Sequence, residues 1–148
     1  ILRMKVRETH TEKETIAFGA EFAGQLVPGD TLAIAGDLGT GKTRFIQGVC
    51  QGLGVREHVA SPTFTILRQY TVRDVMIYHF DFYRMKSALE VREIGLEEFL
   101  AGDGICLIEW ADRVREFLPP RRYDIRMKFG GDRDSRIIEI DELLGVAA

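Results

Sequence analysis

Asparagine is absent from all 148 residues, so recognition motifs built on its carboxamide are excluded, the Asn-Lys-x-Asp guanine-reading motif among them. Cysteine occurs only twice, at Cys50 and Cys106, inside an expected helix and an expected buried strand. That is too few for a disulfide framework and wrongly placed for a zinc site, and it predicts reduced core thiols in a cytoplasmic protein. No apolar run approaches membrane-spanning length, and the N-terminus has no apolar secretory core, so no membrane association is expected. The chain opens on Ile1, and Met4 reads as a natural start. There is no excess of positive charge. A net charge of −3 argues against nucleic-acid binding through bulk electrostatics. Linkers, repeats and low-complexity segments are also missing, which leaves one domain over residues 1–148. With 45% hydrophobic residues, that domain can bury a core of its own.

The most informative segment is TLAIAGDLGTGKT at residues 31–43, a buried-type strand running into Gly36-Asp37-Leu38-Gly39-Thr40-Gly41-Lys42-Thr43. This is the phosphate-binding pattern G-x-x-x-x-G-K-[ST], set between a strand and a helix as that pattern requires. The glycines let successive backbone N–H groups turn inward as a nest for phosphate oxygens. The positive end of the helix beginning near Lys42 adds partial charge at the same point. Lys42 is placed to reach the terminal phosphates, and the Thr43 hydroxyl to ligate Mg²⁺. The chain is therefore expected to bind a nucleoside triphosphate. With the guanine motif excluded, ATP is favoured.

Around this loop, Met4–Thr9 alternates as a strand, and Thr11-Glu12-Lys13-Glu14 forms a capping box opening a helix to about Leu26. The runs Thr65–Thr71 and Val75–Phe82 read as a hairpin. A helix from Ser87 is interrupted at Gly95. Gly104–Glu109 has the form of a central parallel strand, and Ala111–Leu118 is helical up to Pro119-Pro120. Strands at about 124–129 and 136–140 flank a turn at Gly130–Asp134. The alternation predicts a three-layer α/β P-loop domain with a mainly parallel central sheet and antiparallel edge strands.

Mg²⁺ needs oxygen ligands beyond Thr43, and two acids are candidates. Glu109 closes the apolar run ICLIE, a Walker-B arrangement with Glu in place of Asp; alternatively it is a strand-end acid in solvent. Asp81 lies in Tyr78-His79-Phe80-Asp81-Phe82-Tyr83-Arg84, where alternation puts His79, Asp81 and Tyr83 on one face and both phenylalanines on the other. Its alternative role is as a partner of Arg84 or His79. Trp110 is read as packing or as a partner contact. The cluster Arg113, Arg115, Arg121 and Arg122 is either a solvated helix face or a local patch for RNA or a partner.

GDLGTGKT, SPTF, YHFDFYR and LIEW, in this order and spacing, resemble the bacterial TsaE family over essentially the whole chain. These are small ATPases needed for the threonylcarbamoyl modification of the adenosine at position 37 in tRNAs that read codons starting with A. The resemblance implies that Lys42 and the amides of Leu38, Gly39, Thr40, Gly41, Lys42 and Thr43 hold ATP phosphates. It implies Thr43 and Glu109 as Mg²⁺ ligands, Asp81 as the acid required for hydrolysis, and Ser61-Pro62-Thr63-Phe64 as a nucleotide-sensing switch. The adenine end is implied near Thr11 and Arg133. The implied partners are the tRNA threonylcarbamoyl transferase and its companion subunit, with turnover slow in their absence. Arg68, Arg84 and partner residues are candidates for further charge-stabilising donors. Two rival classes are a small-molecule P-loop kinase, for which Arg84–Arg92 is the only candidate lid, and a nucleotide-dependent adaptor without meaningful hydrolysis.

Overall fold

In the computed structural model, which describes residues 3–145, seven strands form one sheet in the order β1-β7-β6-β2-β5-β4-β3. The strands are β1 (Arg3–Thr9), β2 (Thr31–Gly36), β3 (Leu67–Val72), β4 (Val75–Asp81), β5 (Ile105–Glu109), β6 (Arg121–Phe129) and β7 (Arg136–Leu144). The four central strands, β6, β2, β5 and β4, run parallel, while β3 on one side and β7 and β1 on the other pair antiparallel. The expected sheet is thus observed. Residues 1–2 and 146–148 of the expected 1–148 domain lie outside the described residues.

Alternation along the central strands builds two cores, one on each face. Leu32 and Ile34 of β2, Ile77 of β4 and Ile105 and Leu107 of β5 meet helices α1 (Glu12–Phe22) and α2 (Lys42–Leu53) through Phe18, Phe22, Phe45, Ile46 and Val49. Ala33, Phe80, Cys106 and Ile108 point the other way, against Val91 of α3 (Ala88–Ile94), Leu96 of α4 (Leu96–Ala101), Ala111 and Val114. The result is three layers. Phe45 is fully buried between α1 and the sheet, and truncating such a ring to Ala costs about 3–5 kcal/mol. The two helices touch backbone to backbone: a Cβ on Gly48 would strike the Ile16 carbonyl.

The helix starts were legible as side-chain caps. Thr11 accepts from the Glu14 amide at 3.0 Å, and Ser87 accepts from the Glu90 amide at 3.3 Å. Several boundaries differ from expectation. The first helix is α-helical only to Phe22 and tightens into a 3-10 turn over Ala23–Gln25. Strand β3 starts at Leu67 rather than Thr65, because Ile66 takes a φ of +71°, which no strand accommodates. Ala111–Phe117 is 3-10 rather than α, entered through Trp110 at φ +59° and kinked at Val114. The final hairpin is longer than expected at its outer ends, reaching Arg121 and Leu144. Among the described residues, no helix is long and apolar enough to cross a membrane.

Candidate nucleotide site

The loop between β2 and α2 sits where parallel-sheet proteins place ligands, beyond the carboxyl ends of the central strands. Gly41, at φ +95°, is the N-cap of α2 and leaves its first turn without a side-chain cap. A β-carbon would be strained there, and the uncapped turn keeps amide donors available to an anion. Thr40 is buried, and its hydroxyl donates to the Asp37 carbonyl at 2.8 Å, bracing the loop from within. Leu38, by contrast, is exposed.

Lys42 is buried, and its ammonium donates to the carbonyls of Gly36 at 2.6 Å and Asp37 at 2.9 Å. It also lies 4.0 Å from the centroid of the Trp110 ring. Burial pushes its pKa below the usual lysine value; the carboxylates of Glu109, Asp112, Asp81 and Asp37 oppose that shift without cancelling it.

β4 and β5 bring the two acids together. Asp81 and Glu109 are register partners on these adjacent parallel strands, and both are buried. Both project from the α2 face, the side opposite Phe80 and Ile108. One oxygen of Glu109, Oε1, accepts the Thr43 hydroxyl at 2.9 Å, and the other, Oε2, accepts His79 Nε2 at 2.7 Å. Burial removes the reading of Glu109 as a solvent-facing strand end. Asp81 bonds neither Arg84 nor His79. Its Oδ2 accepts from Ser61 Oγ at 2.5 Å and Thr63 Oγ1 at 3.1 Å, and its Oδ1 accepts the Tyr83 amide at 2.9 Å. Arg84 instead lies over the exposed Phe64 ring, 4.3 Å from its centroid.

Thr43, Asp81 and Glu109 line one cleft of about 650 Å³, together with Leu38, Gly39, Gly41, Lys42, Ser61, Thr63, Tyr83 and Trp110. A hollow of about 780 Å³ lies at the other end of α2, between Leu26, Gly52, Val72 and Ile105. It is remote from the loop and both acids, so the chemistry belongs to the smaller cleft. Among the described residues no group of three His, Cys, Asp or Glu side chains could cage a metal ion. The adjacent Thr43 hydroxyl and Glu109 carboxylate fit Mg²⁺, which takes one or two protein oxygens and draws the remainder from phosphate and water.

Thr11 and Arg133 do not line the cleft, although their neighbours reach it. Glu12 forms part of its wall, and Arg136 donates to the Gly39 carbonyl at 3.1 Å. Arg44, which pairs with Glu12 at 3.4 Å, and Gln47, which donates to the Val59 carbonyl at 2.6 Å, were not singled out in the sequence. Both lie at helical spacing on the cleft side of α2, the one signal that marks them. Trp110 packs, half-buried, against the second core, and it also contacts Lys42 and the Tyr83 ring, 4.8 Å away. The arginine cluster is dispersed: Arg122 pairs with Asp124, while Arg113 stacks near Tyr83 and Trp110. Cys50 and Cys106 are free and buried, as expected.

Residues 9–138 match the family model described as threonylcarbamoyl adenosine biosynthesis protein TsaE. The chain belongs to the TsaE family. It is 42% identical to the tRNA threonylcarbamoyladenosine biosynthesis protein TsaE of Bacillus subtilis, over 91% of this chain and 84% of that protein. The Haemophilus influenzae protein of the same name is 37% identical, over 87% of this chain and 84% of its own length. The crystal structure of Bacillus subtilis YdiB superposes with a TM-score of 0.82 at 37% identity, covering 97% of this chain and 88% of that one.

Proposed function

We propose that this TsaE-family chain is a Mg²⁺-dependent ATPase that acts in the cytoplasm with the tRNA threonylcarbamoyl transferase and its companion subunit. In this reading it supports formation of N6-threonylcarbamoyladenosine at position 37 of tRNAs reading codons that begin with A. The observation that carries the reading is the meeting of Thr43 and Glu109, 66 residues apart in the chain, at 2.9 Å beside Lys42 and Asp81. A phosphate cradle alone would serve any nucleotide-binding protein. A cradle, a metal pair and a second buried acid serve phosphoryl transfer.

The loop amides from Leu38 to Thr43 and the Lys42 ammonium hold the phosphates, and Lys42 supplies positive charge where negative charge develops. Thr43 and Glu109 would hold Mg²⁺, which neutralises charge on the phosphate oxygens when bound. Asp81 orients a water in line with the terminal phosphorus. The water oxygen–phosphorus bond forms, the bond to the ADP oxygen breaks, and the water proton passes through Asp81 to solvent. The hydroxyls of Ser61 and Thr63 tie the acid to the switch segment, so moving that segment changes how Asp81 is held. Thr11 and Arg133, at the α1 start and the β6–β7 turn, are proposed to border the adenine.

The kinase reading needs a mobile arginine-bearing lid. Arg84–Arg92 runs instead into α3 and α4, whose Val91 and Leu96 are anchored in the second core. The adaptor reading leaves the two buried acids without a task. The test is Mg²⁺-dependent phosphate release from ATP, alone and with the transferase–companion complex, with Asp81→Ala and Glu109→Ala as controls. Stimulation that both substitutions remove supports the ATPase. Phosphorylated acceptor in place of free phosphate identifies a kinase, and binding without stimulation identifies an adaptor.

A further inference from the structure

His79 is fully buried in the middle of the sheet, on the same face as the core residues Ile77 and Leu107, and it lies outside the phosphate loop and the switch. Its register partner on β5 is Leu107, two residues before Glu109. On a parallel pair, that offset lets the imidazole reach diagonally to the carboxylate at the strand's end. The contact is 2.7 Å, from Nε2 to Glu109 Oε2. His79 Nδ1 is buried with no hydrogen-bond partner among the described residues. A carboxylate only accepts, so the ring proton belongs on Nε2, and His79 donates to Glu109.

Glu109 is itself buried, and a buried carboxylate needs donors at both oxygens. Thr43 serves Oε1 and His79 serves Oε2. The three side chains come from α2, β5 and β4 and form one line. With Oε2 occupied by a donor rooted in the sheet, the carboxylate cannot rotate about its terminal torsion, and Oε1 stays against the Thr43 hydroxyl. A histidine tolerated here merely as filler would not need its single partnered nitrogen aimed at the acid.

We propose that His79 is a positioning residue that presents Glu109 to the divalent cation, setting metal affinity without touching metal or nucleotide. This inference rests on the ATPase reading of Thr43 and Glu109. Partners of this kind, behind a metal-binding carboxylate, typically change metal affinity ten- to a hundredfold when removed.

The experiment measures Mn²⁺ affinity by electron paramagnetic resonance, with a non-hydrolysable ATP analogue bound, for the full chain and its His79→Gln and His79→Leu variants. Analogue affinity without metal and thermal melting are recorded alongside. His79→Leu is expected to weaken Mn²⁺ binding ten- to a hundredfold and to leave metal-free analogue binding within about twofold. His79→Gln, which keeps an N–H at the reach of Nε2, is expected to restore most of the Mn²⁺ affinity. A purely structural role would lower the melting temperature and leave the Mn²⁺ dissociation constant unchanged, and that result overturns the proposal. Nitrogen-15 spectra of the wild-type imidazoles test it even if a variant does not fold. The Nε2–H tautomer is expected, with Nε2 shifting on Mn²⁺-free Mg²⁺–analogue binding; an Nδ1–H tautomer overturns it. If the wild-type chain binds the analogue but takes up no Mn²⁺ beside it, the ATPase reading fails too. Failure of His79→Leu alone to weaken Mn²⁺ leaves that reading standing.

Discussion

Asp81 and Glu109 stand opposite one another in register on β4 and β5, but their carboxylates are held by different parts of the molecule. Glu109 is bonded to the helix that follows the phosphate loop, through Thr43, and to the sheet, through His79. Asp81 is bonded to the segment Ser61–Thr63. One acid therefore belongs to a rigid frame and the other to a connection between elements. This difference predicts that their substitution has different consequences.

Glu109→Gln keeps the shape and removes the charge that a divalent cation requires. Partner-stimulated phosphate release should fall about a hundredfold, with the Mg²⁺ concentration for half activity raised about a hundredfold or more, at least as far as loss of His79 raises it. Asp81→Asn should lower the same rate by about a hundredfold or more with the Mg²⁺ requirement nearly unchanged. Mg²⁺ titrations of the two variants check this. Equal shifts in Mg²⁺ requirement would mean that both acids bind metal.

Lys42→Ala removes two hydrogen bonds from a buried ammonium to its own loop, together with the charge meant for the phosphates. A charge-assisted hydrogen bond contributes about 1.5–3 kcal/mol, so ATP affinity should drop roughly ten- to a hundredfold. Stability should change little, because the folded chain already pushes the charged form of Lys42 downward in pKa, and removing it relieves that cost. Calorimetric titration with ATP and a thermal melt decide the point; a large fall in melting temperature would contradict it.

Ser61→Ala and Thr63→Val each strip one donor from Asp81 Oδ2. With a net hydrogen bond near 1 kcal/mol, each should slow stimulated turnover about five- to tenfold, and the pair should be less than multiplicative because they share one oxygen. ATP binding should be unaffected. A double-mutant cycle on phosphate release measures the coupling, and strict additivity would dissociate the segment from the acid.

The loop between β2 and α2 was readable because its residues are contiguous and its shape is set by its own glycines. Glu109 was readable as the acid that closes an apolar strand, and the face of Asp81 from strand alternation, both local rules. The bonds that set up the site were not: Thr63 to Asp81, His79 to Glu109 and Arg136 to Gly39 join distant residues and depend on which strands are neighbours. Periodicity puts His79 on the correct face of β4. Only the offset of β4 against β5 turns it toward Glu109. Ile66, at positive φ, moved the start of β3 past Thr65: its side-chain type favours a strand, and the turn that bonds its amide to the Pro62 carbonyl overrules it.

The two thiols make a prediction about alkaline stability. Burial pushes Cys50 and Cys106 up to about 12 from an ordinary value of 9.0. Between these values the unfolded chain releases thiol protons that the folded chain keeps, so the unfolded state binds fewer protons and folding stability falls as pH rises. Below pH 9 both states hold the protons and the contribution is flat. The decline should begin near pH 9 and approach about 1.4 kcal/mol per pH unit for each thiol. Tyr70 and Tyr123, also raised by burial from an ordinary value of 10.0, contribute mainly at higher pH, so the cysteines dominate the slope near pH 9. Urea unfolding at a series of pH values measures the slope. Cys50→Ala should shift the curve down through the cavity it leaves while roughly halving the slope there. An unchanged slope would mean that Cys50 is reached by water in the folded chain. Alkylation then provides an independent reading, since a thiol held at about 12 is inert at pH 8 until the chain unfolds.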